Sequence, residues 1–259
     1  MKTFILCGGT GTRLDHEGRT KSKTMVKIGP NPILLYILSN FCKQGFNDFV
    51  LCLGYMHENV IQFFLKFNKK NTKIIFKKKN HIKIIFRFKG MSANIDLIYT
   101  GKDSGTGGRI KIAYNKLKLD EDILMTYGDG LSDINIKNLV KFHYNKKSLL
   151  TVSAVRPKQR YGILKIKSNK RVYFFDNSNE DNINIFINGG FHVIDKSAIK
   201  KIESNKIYWE QEPMNYFLKK KKLFAFKYYG FWKSLDTIKD KNDFNQLYYS
   251  GKQPWIFNK

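Results

Sequence analysis

The sequence predicts an α/β protein: one three-layer α/β/α domain with a mixed central sheet and a β-rich C-terminal half. Three observations carry this expectation. Short apolar runs alternate with helix-period patterns through the first half, as they do when helices cover both faces of a sheet. From Leu149 onward the pattern is mostly strand. No Pro/Gly/Ser-rich linker and no repeat interrupts the 259 residues, so a single domain over 1–259 is expected.

Taken in order, Thr3–Leu6 reads as a strand that runs into Gly8-Gly9-Thr10-Gly11-Thr12-Arg13-Leu14, with Lys23 ten residues past Arg13. Glycine at three of four positions lets backbone N–H groups turn toward an anion without Cβ obstruction. Arg13 adds a planar donor fork suited to phosphate. A dinucleotide fingerprint would need glycine where Leu14 stands, and a Walker loop would need Gly-Lys-Ser/Thr; neither is present. The alternative is a purely structural turn.

Asn31-Pro32 opens a helix through about Cys42, with Pro32 suited to the first helical position. Phe49–Leu53 is the second strand, and Glu58–Phe67 a helix with Val60, Phe63, Phe64 and Phe67 on one face. Thr72 to Tyr99 is strand-rich, with a basic hairpin-like insertion between Lys77 and Gly90. A helix over Gly108–Leu117, a strand over Ile123–Thr126 and a helix over Ile136–Asn145 follow. Strands at Leu149–Val155, Ile163–Ile166, Val172–Phe175 and Ile185–Val193 precede helices at Glu212–Leu218 and Thr237–Tyr249.

The net charge of +26 is large, but its lysines are scattered and accompany an excess of Ile, Asn, Phe and Tyr. No recognition-helix, stacking or zinc pattern goes with it, so nucleic acid and membrane are set aside in favour of an anionic small substrate. No apolar stretch approaches the roughly 18–20 residues of a membrane span, and the run after Lys2 is too short for a signal peptide. Cys7, Cys42 and Cys52 are odd in number, lack metal-type spacing and sit in apolar surroundings. Buried free thiols in a cytoplasmic, reducing compartment are expected.

Tyr127-Gly128-Asp129-Gly130 follows a strand, which puts Asp129 at the carboxyl edge where α/β sheets bind ligands. A turn aspartate between glycines is the plainer alternative. Asp236 either holds a ligand or caps the helix that starts near Thr237. The two carboxylates form a metal pair only if the fold unites them. Thr100-Gly101 through Ser104-Gly105-Thr106-Gly107-Gly108-Arg109 leads into a helix N-terminus, which favours anions. Arg109 there either meets the anion or is solvated.

These segments, in order over nearly the whole chain, resemble the sugar-1-phosphate nucleotidyltransferases, and within them the glucose-1-phosphate cytidylyltransferase branch. The resemblance extends through Lys21, Arg160-Tyr161-Gly162, Ile187-Asn188-Gly189-Gly190-Phe191 and Trp209-Glu210-Gln211-Glu212-Pro213. Gly230-Phe231-Trp232 with Asp236-Thr237, Gly251-Lys252 and Pro254-Trp255 complete it. It implies a Rossmann-like nucleotidyltransferase domain, with 1–148 mainly nucleotide-binding and 149–259 mainly acceptor-binding plus the C-terminal helices. It implies nucleotide contacts from Leu6, Gly8, Gly9, Thr10, Gly11, Thr12, Arg13, Lys23, Ser104, Thr106, Gly107, Arg109 and Asp129. Arg13 and Lys23 would be catalytic, and Tyr161, Gly162, Asn188, Gly189 and Glu210 would line the acceptor side. Asp129 and Asp236 would hold Mg²⁺. The implied partners are CTP and a phosphorylated small-molecule acceptor, glucose 1-phosphate first, in a homo-oligomer. Tyr248-Tyr249 and Trp255-Ile256-Phe257 would suit its interface, or pin the terminus to the core.

The chain departs from the family at three places, one of them the acid usually found two residues past Met25, which is Lys27 here. Lys-Pro-Lys-Pro-Met is Lys21-Ser22-Lys23-Thr24-Met25 here, so the loop loses two φ-fixing rings. Glu-Lys-Pro on the acceptor side is Asp176-Asn177-Ser178, which removes a charge-assisted contact of roughly 1.5–3 kcal/mol. Lys158, Lys165 and Arg171 are candidate replacements. A different phosphorylated acceptor or nucleotide, or a catalytically weak nucleotide-binding regulator, are the alternatives.

Overall fold

The computed structural model describes residues 1–9, 22–156, 163–166, 168, 170–176 and 185–256. In chain order these form β1 (Thr3–Cys7), a small ladder of β2 (Lys27–Ile28) with β3 (Asn31–Pro32), α1 (Ile33–Lys43), β4 (Asp48–Leu53) and α2 (His57–Gln62). Next come β5 (Thr72–Lys78), β6 (His81–Phe88), β7 (Met91–Tyr99), α3 (Thr106–Lys116), β8 (Ile123–Tyr127), β9 (Gly130–Ser132) and α4 (Ile136–Asn145). The second half adds β10 (Leu150–Val155), β11 (Ile163–Ile166), β12 (Val172–Asp176), β13 (Ile187–Ile194) and α5 (Lys196–Ile199). It closes with α6 (Glu212–Lys219), β14 (Leu223–Tyr228), β15 (Trp232–Ser234) and α7 (Ile238–Tyr249).

Among the described residues nine strands join one sheet in the order β14-β10-β13-β8-β1-β4-β7-β6-β5. The β8-β1-β4-β7 centre is parallel, β13 runs antiparallel between β8 and β10, and β14 is parallel to β10. Every residue of β1 is buried, as a strand covered on both faces requires. Its alternation divides the core: Ile5 and Cys7 pack with α1, whereas Phe4 and Leu6 pack with α3, Trp209 and Phe217. The three-layer, mixed-sheet expectation therefore holds.

Several elements differ from the sequence reading. Pro32 sits in the cap position before α1 and pairs with Lys27 rather than opening the helix. The helix expected over 58–67 is α only to Gln62 and widens to a π turn over Phe63–Phe67. The basic hairpin is no insertion; β5 and β6 extend the sheet antiparallel from β7. β14 and the three-residue β9–β15 pair were not foreseen. Cys42 is only half-buried, while Cys7 and Cys52 are buried, and all three are free. Trp255 is fully buried, edge-on to Tyr36 at 5.9 Å and Phe244 at 5.5 Å, so it pins the terminus to the core. Tyr249 stays 75% exposed, and Phe257 lies outside the described residues.

Candidate active site

Because β1, β4, β7 and β8 run parallel, the segments after Cys7, Leu53, Tyr99 and Tyr127 gather at one edge of the sheet. Asp129 follows β8 there. The β9–β15 pairing sets Ser234 opposite Gly130, and Leu235 N donates to Asp129 O at 2.8 Å. That pairing delivers Asp236 beside Asp129. Between them stands Lys23, whose Nζ donates to Asp129 Oδ2 at 2.5 Å and to Asp236 Oδ1 at 2.8 Å. Ser234 Oγ donates to the other Asp236 oxygen at 2.5 Å. The cap of α7 is Thr237, with Asp240 completing a capping box, so Asp236 is not the cap.

Burial works against the charge on Lys23, but Asp129 and the bonds to both carboxylates outweigh it and hold its pKa above the ordinary lysine range. For Asp236 burial again favours the neutral form. The hydrogen bonds from Lys23 and Ser234 prevail and hold the carboxyl below its usual range. Two carboxylates close enough to share one ammonium also fit a magnesium ion, which takes one or two carboxylates and completes its shell with water and phosphate oxygens. No cluster of three or more His, Cys, Asp or Glu occurs among the described residues.

Lys23 begins a short turn, Lys23–Met25. The flanking Ser22 and Thr24, where ring-fixed φ angles were missed, are both buried and share a 3.0 Å hydrogen bond between hydroxyls. The Thr24 methyl lies against Gly128, where a Cβ would stand 2.2 Å from it. The turn is therefore seated directly on the segment that carries Asp129.

Arg109 is not solvated, as one of its two expected environments would have it. It is 5% exposed, with Nη1 donating to Gly101 O at 2.8 Å and Thr100 Oγ1 at 3.0 Å, and Nη2 to Lys102 O at 3.1 Å. Gly8 and Gly54 owe their lack of a Cβ to this guanidinium, which would lie 2.3 and 2.1 Å from an added carbon. Arg109 thus ties the ends of β1, β4 and β7 together. The start of α3 is likewise occupied: Gly105 N and Gly108 N donate to Asn205 O and Ile207 O. A Cβ on Gly108 would stand 1.8 Å from Asn205 O, and Gly107 packs under Ile207. Ser104 Oγ donates to Thr100 O at 2.5 Å. Gly9, by contrast, has open space on its Cβ side, and Leu6 is the last residue but one of β1.

On the β13 side Glu210 bridges two elements, accepting from Tyr127 Oη and, at 2.8 Å, from Thr106 Oγ1. Burial and then the Glu210 charge push the Tyr127 phenol well up. Asn188 Oδ1 accepts from Gly190 N at 2.9 Å, and Trp232 Nε1 donates to Gly189 O at 2.7 Å. Gly190, at φ +82°, leaves room for the Tyr127 ring. A cavity of about 50 Å³ lined by Thr126, Tyr127, Asp129, Asn188, Gly189 and Trp232 connects Asp129 to this side. A wider open groove of about 700 Å³ along Lys111, Asn115 and 203–206 contains none of these residues, and the chemistry favours the smaller cavity.

The structure thus unites Lys23, Asp129, Asp236, Asn188, Gly189 and Glu210 at one edge, with Thr106 bonded to Glu210. Thr10, Gly11, Thr12, Arg13, Tyr161, Gly162, Lys158 and Asn177 lie outside the described residues. Sequence reasoning missed Ser22, Gly54, Trp232 and Ser234. Trp232 stood within a quoted motif, and Gly54 directly follows an apolar run, the same signal that marked Gly8.

The model of the family described as "Nucleotidyl transferase" matches residues 2–232. The chain is 36% identical over 255 residues to the glucose-1-phosphate cytidylyltransferase of Salmonella typhimurium, covering 98% of each. To the probable glucose-1-phosphate cytidylyltransferase of Bacillus subtilis it is 32% identical, covering 98% of this chain and 99% of that one. The fold matches the crystal structure of HddC from Yersinia pseudotuberculosis complexed with GMP-PN at a TM-score of 0.69 and 22% identity, over 95% of this chain and 99% of the other. A putative glucose-1-phosphate thymidylyltransferase from Bacillus anthracis matches at 0.67 and 18% identity, over 100% and 98%.

Proposed function

The chain belongs to the nucleotidyl transferase family, and from that premise we propose that it transfers a cytidylyl group from CTP to a sugar 1-phosphate. Glucose 1-phosphate is the first acceptor, and the products are a CDP-sugar and pyrophosphate. The observation that carries this reading is the convergence of Lys23, Asp129 and Asp236, one from each end of the chain and one from its middle, at the carboxyl edge of the parallel strands.

An acceptor phosphate oxygen attacks the α-phosphorus of CTP in line. The bond to the bridging oxygen breaks, and pyrophosphate leaves with that electron pair. A phosphate monoester is already largely ionised near neutral pH, so no side chain need act as nucleophile or base. Catalysis is positioning and charge neutralisation, and orientation alone supplies on the order of 7–11 kcal/mol. Lys23 brings a fixed ammonium to the phosphates. Leu6, Gly8 and Gly9, with Thr10 to Arg13, cradle the triphosphate, while Asn188, Gly189 and Glu210, with Tyr161 and Gly162, face the sugar. Asp129 and Asp236 hold Mg²⁺, which when bound offsets the charge of the phosphates. Free cysteines suit a cytoplasmic location, and no helix among the described residues is long and apolar enough to cross a membrane. Tyr249, exposed on α7, is the contact we assign to a homo-oligomer.

Asp176-Asn177-Ser178 favours a second reading, in which the acceptor is another sugar phosphate. Pyrophosphate release measured with each nucleoside triphosphate, Mg²⁺ and a panel of sugar 1-phosphates separates the two. CTP with glucose 1-phosphate is expected to be the fastest pair. Faster turnover with another acceptor establishes the second reading, and tight CTP binding without turnover by any pair overturns both.

A further inference from the structure

The geometry points to Asn59 as a positioning residue for the transfer: its side-chain oxygen holds the backbone of Ser22, and thereby keeps Lys23 between the two carboxylates. The inference rests on the proposed role of Lys23. Ser22 N donates to Asn59 Oδ1 at 3.0 Å. Ser22 precedes the turn with φ −55° and ψ 135°, and its carbonyl accepts from Met25 N at 2.8 Å. A single tight turn closed by so few bonds does not hold itself in water. Beyond the Lys23 ammonium itself, three outside contacts hold it among the described residues: Asn59 before Lys23, the Thr24 methyl on Gly128 after it, and Met25 with Val26 in the core.

Asn59 is itself firmly carried. Its neighbour Val60 is fully buried in the core, and the His57 ring lies 4.2 Å from that of Tyr99. α2 is entered through Met56 in the left-handed region at φ 53°, with Asn59 N donating to Met56 O at 3.1 Å. The lysine side chain is long and flexible, so its ammonium stays in place only if its backbone does. Without the Asn59 oxygen, the Ser22 amide would lose its partner and the turn one of its three anchors. The Ser22–Thr24 hydroxyl bond would remain, but it lies within the turn and cannot fix the turn to the rest of the fold.

Asn59→Leu removes the acceptor at similar volume, and Asn59→Asp keeps an oxygen at the same reach. Pyrophosphate-release kinetics, thermal melting and hydrogen–deuterium exchange at the Ser22 amide are measured on the full chain. For Asn59→Leu we expect kcat to fall about ten- to a hundredfold with both KM values within about threefold, and Ser22 exchange to accelerate. Asn59→Asp should restore both readouts. If Asn59→Leu does not fold, Asn59→Ala takes its place. Unchanged kcat and exchange in the variant overturn the inference while leaving the proposed function standing. So does an equal loss in Leu and Asp variants that follows their melting temperatures, which makes Asn59 merely structural. Absence of turnover in the parent protein with every substrate pair, together with accelerated Ser22 exchange in Asn59→Leu, overturns the role of Lys23 and leaves the hold on Ser22 established.

Discussion

On the α3 side of the sheet edge a buried arginine bonds neutral oxygens: Gly101 O, Lys102 O and the Thr100 hydroxyl. On the β8–β15 side a lysine bonds two carboxylates, one of them 29% and the other 39% exposed. Both cations resist desolvation, with opposite results. Burial lowers the Arg109 pKa from its very high ordinary value, whereas the carboxylates raise that of Lys23. A guanidinium enclosed by carbonyls has its donors committed to backbone and builds the edge. An ammonium shared by half-exposed carboxylates can exchange those partners for phosphate. Position beside a glycine-rich loop does not distinguish the two roles; the kind of oxygen each cation meets does.

The largest effect should come from Lys23→Met. Turnover is expected to fall by about two to three orders of magnitude, the usual loss when a preorganised charge donor is removed. The same change frees the carboxylate pair, so Mn²⁺ should bind the nucleotide-free variant more tightly than the parent, as read by electron paramagnetic resonance titration. Unchanged Mn²⁺ affinity would show that Asp129 and Asp236 are not the ion's ligands.

Arg109→Met should invert that pattern. It takes a donor from the buried Thr100 hydroxyl and the part-buried Gly101 carbonyl; at about 1–3 kcal/mol for each group, with the packing of the guanidinium also lost, the cost is about 3–5 kcal/mol in all. In a chain of this size that lowers Tm by about 10 °C. Differential scanning calorimetry checks it, and CTP should restore part of the loss by mass action. A variant with the parent's Tm but much weaker CTP binding would instead make Arg109 a ligand, and would erase the contrast.

How far this contrast was legible depends on the element. β1 was readable because a strand buried on both faces is a continuous apolar run, and Asp129 because it follows such a run. That Gly8 makes room for Arg109 was not readable: a glycine records that a Cβ is excluded, not whether an anion or a guanidinium excludes it. The union of Asp129 with Asp236 was hidden for another reason. It depends on β9 and β15, three residues each, too short to show any period. Gly105, Gly107 and Gly108 suggested an anion site, yet it is the 205–207 backbone that lies over them. β14 escaped notice since only part of it is covered, and its flanking lysines obscure the apolar alternation.

A third basic side chain extends the comparison to a site where burial acts alone. His192 is fully buried, its ring 6.1 Å from that of Tyr127, and neither ring nitrogen has a partner among the described residues. Burial lowers its pKa to about 3. The unfolded chain binds this proton below about pH 6.5 while the folded chain refuses it, so stability falls as pH drops from 6.5 and the loss levels off near 3. By pH 5 the contribution is on the order of 2 kcal/mol. His192→Phe should flatten the pH dependence of urea midpoints between 7 and 5. An equally steep dependence in that variant would mean that the ring is protonated inside the fold.

The smallest effect is expected at Trp232, whose indole N–H meets a neutral carbonyl, as Arg109 does, but at the cavity proposed for the acceptor. If the kind of oxygen decides the role, Trp232 shapes Gly189 rather than binding charge. Trp232→Phe keeps most of the ring and loses one hydrogen bond, a change of about 1 kcal/mol. The acceptor KM should rise about fivefold, with the CTP KM and the Mn²⁺ affinity unchanged, because Asp129 and Asp236 are held through β9–β15 backbone pairing that the indole nitrogen does not enter. A parallel rise in the CTP KM would place Trp232 with the carboxylate pair, and would move the boundary between architecture and chemistry one residue closer to Gly189.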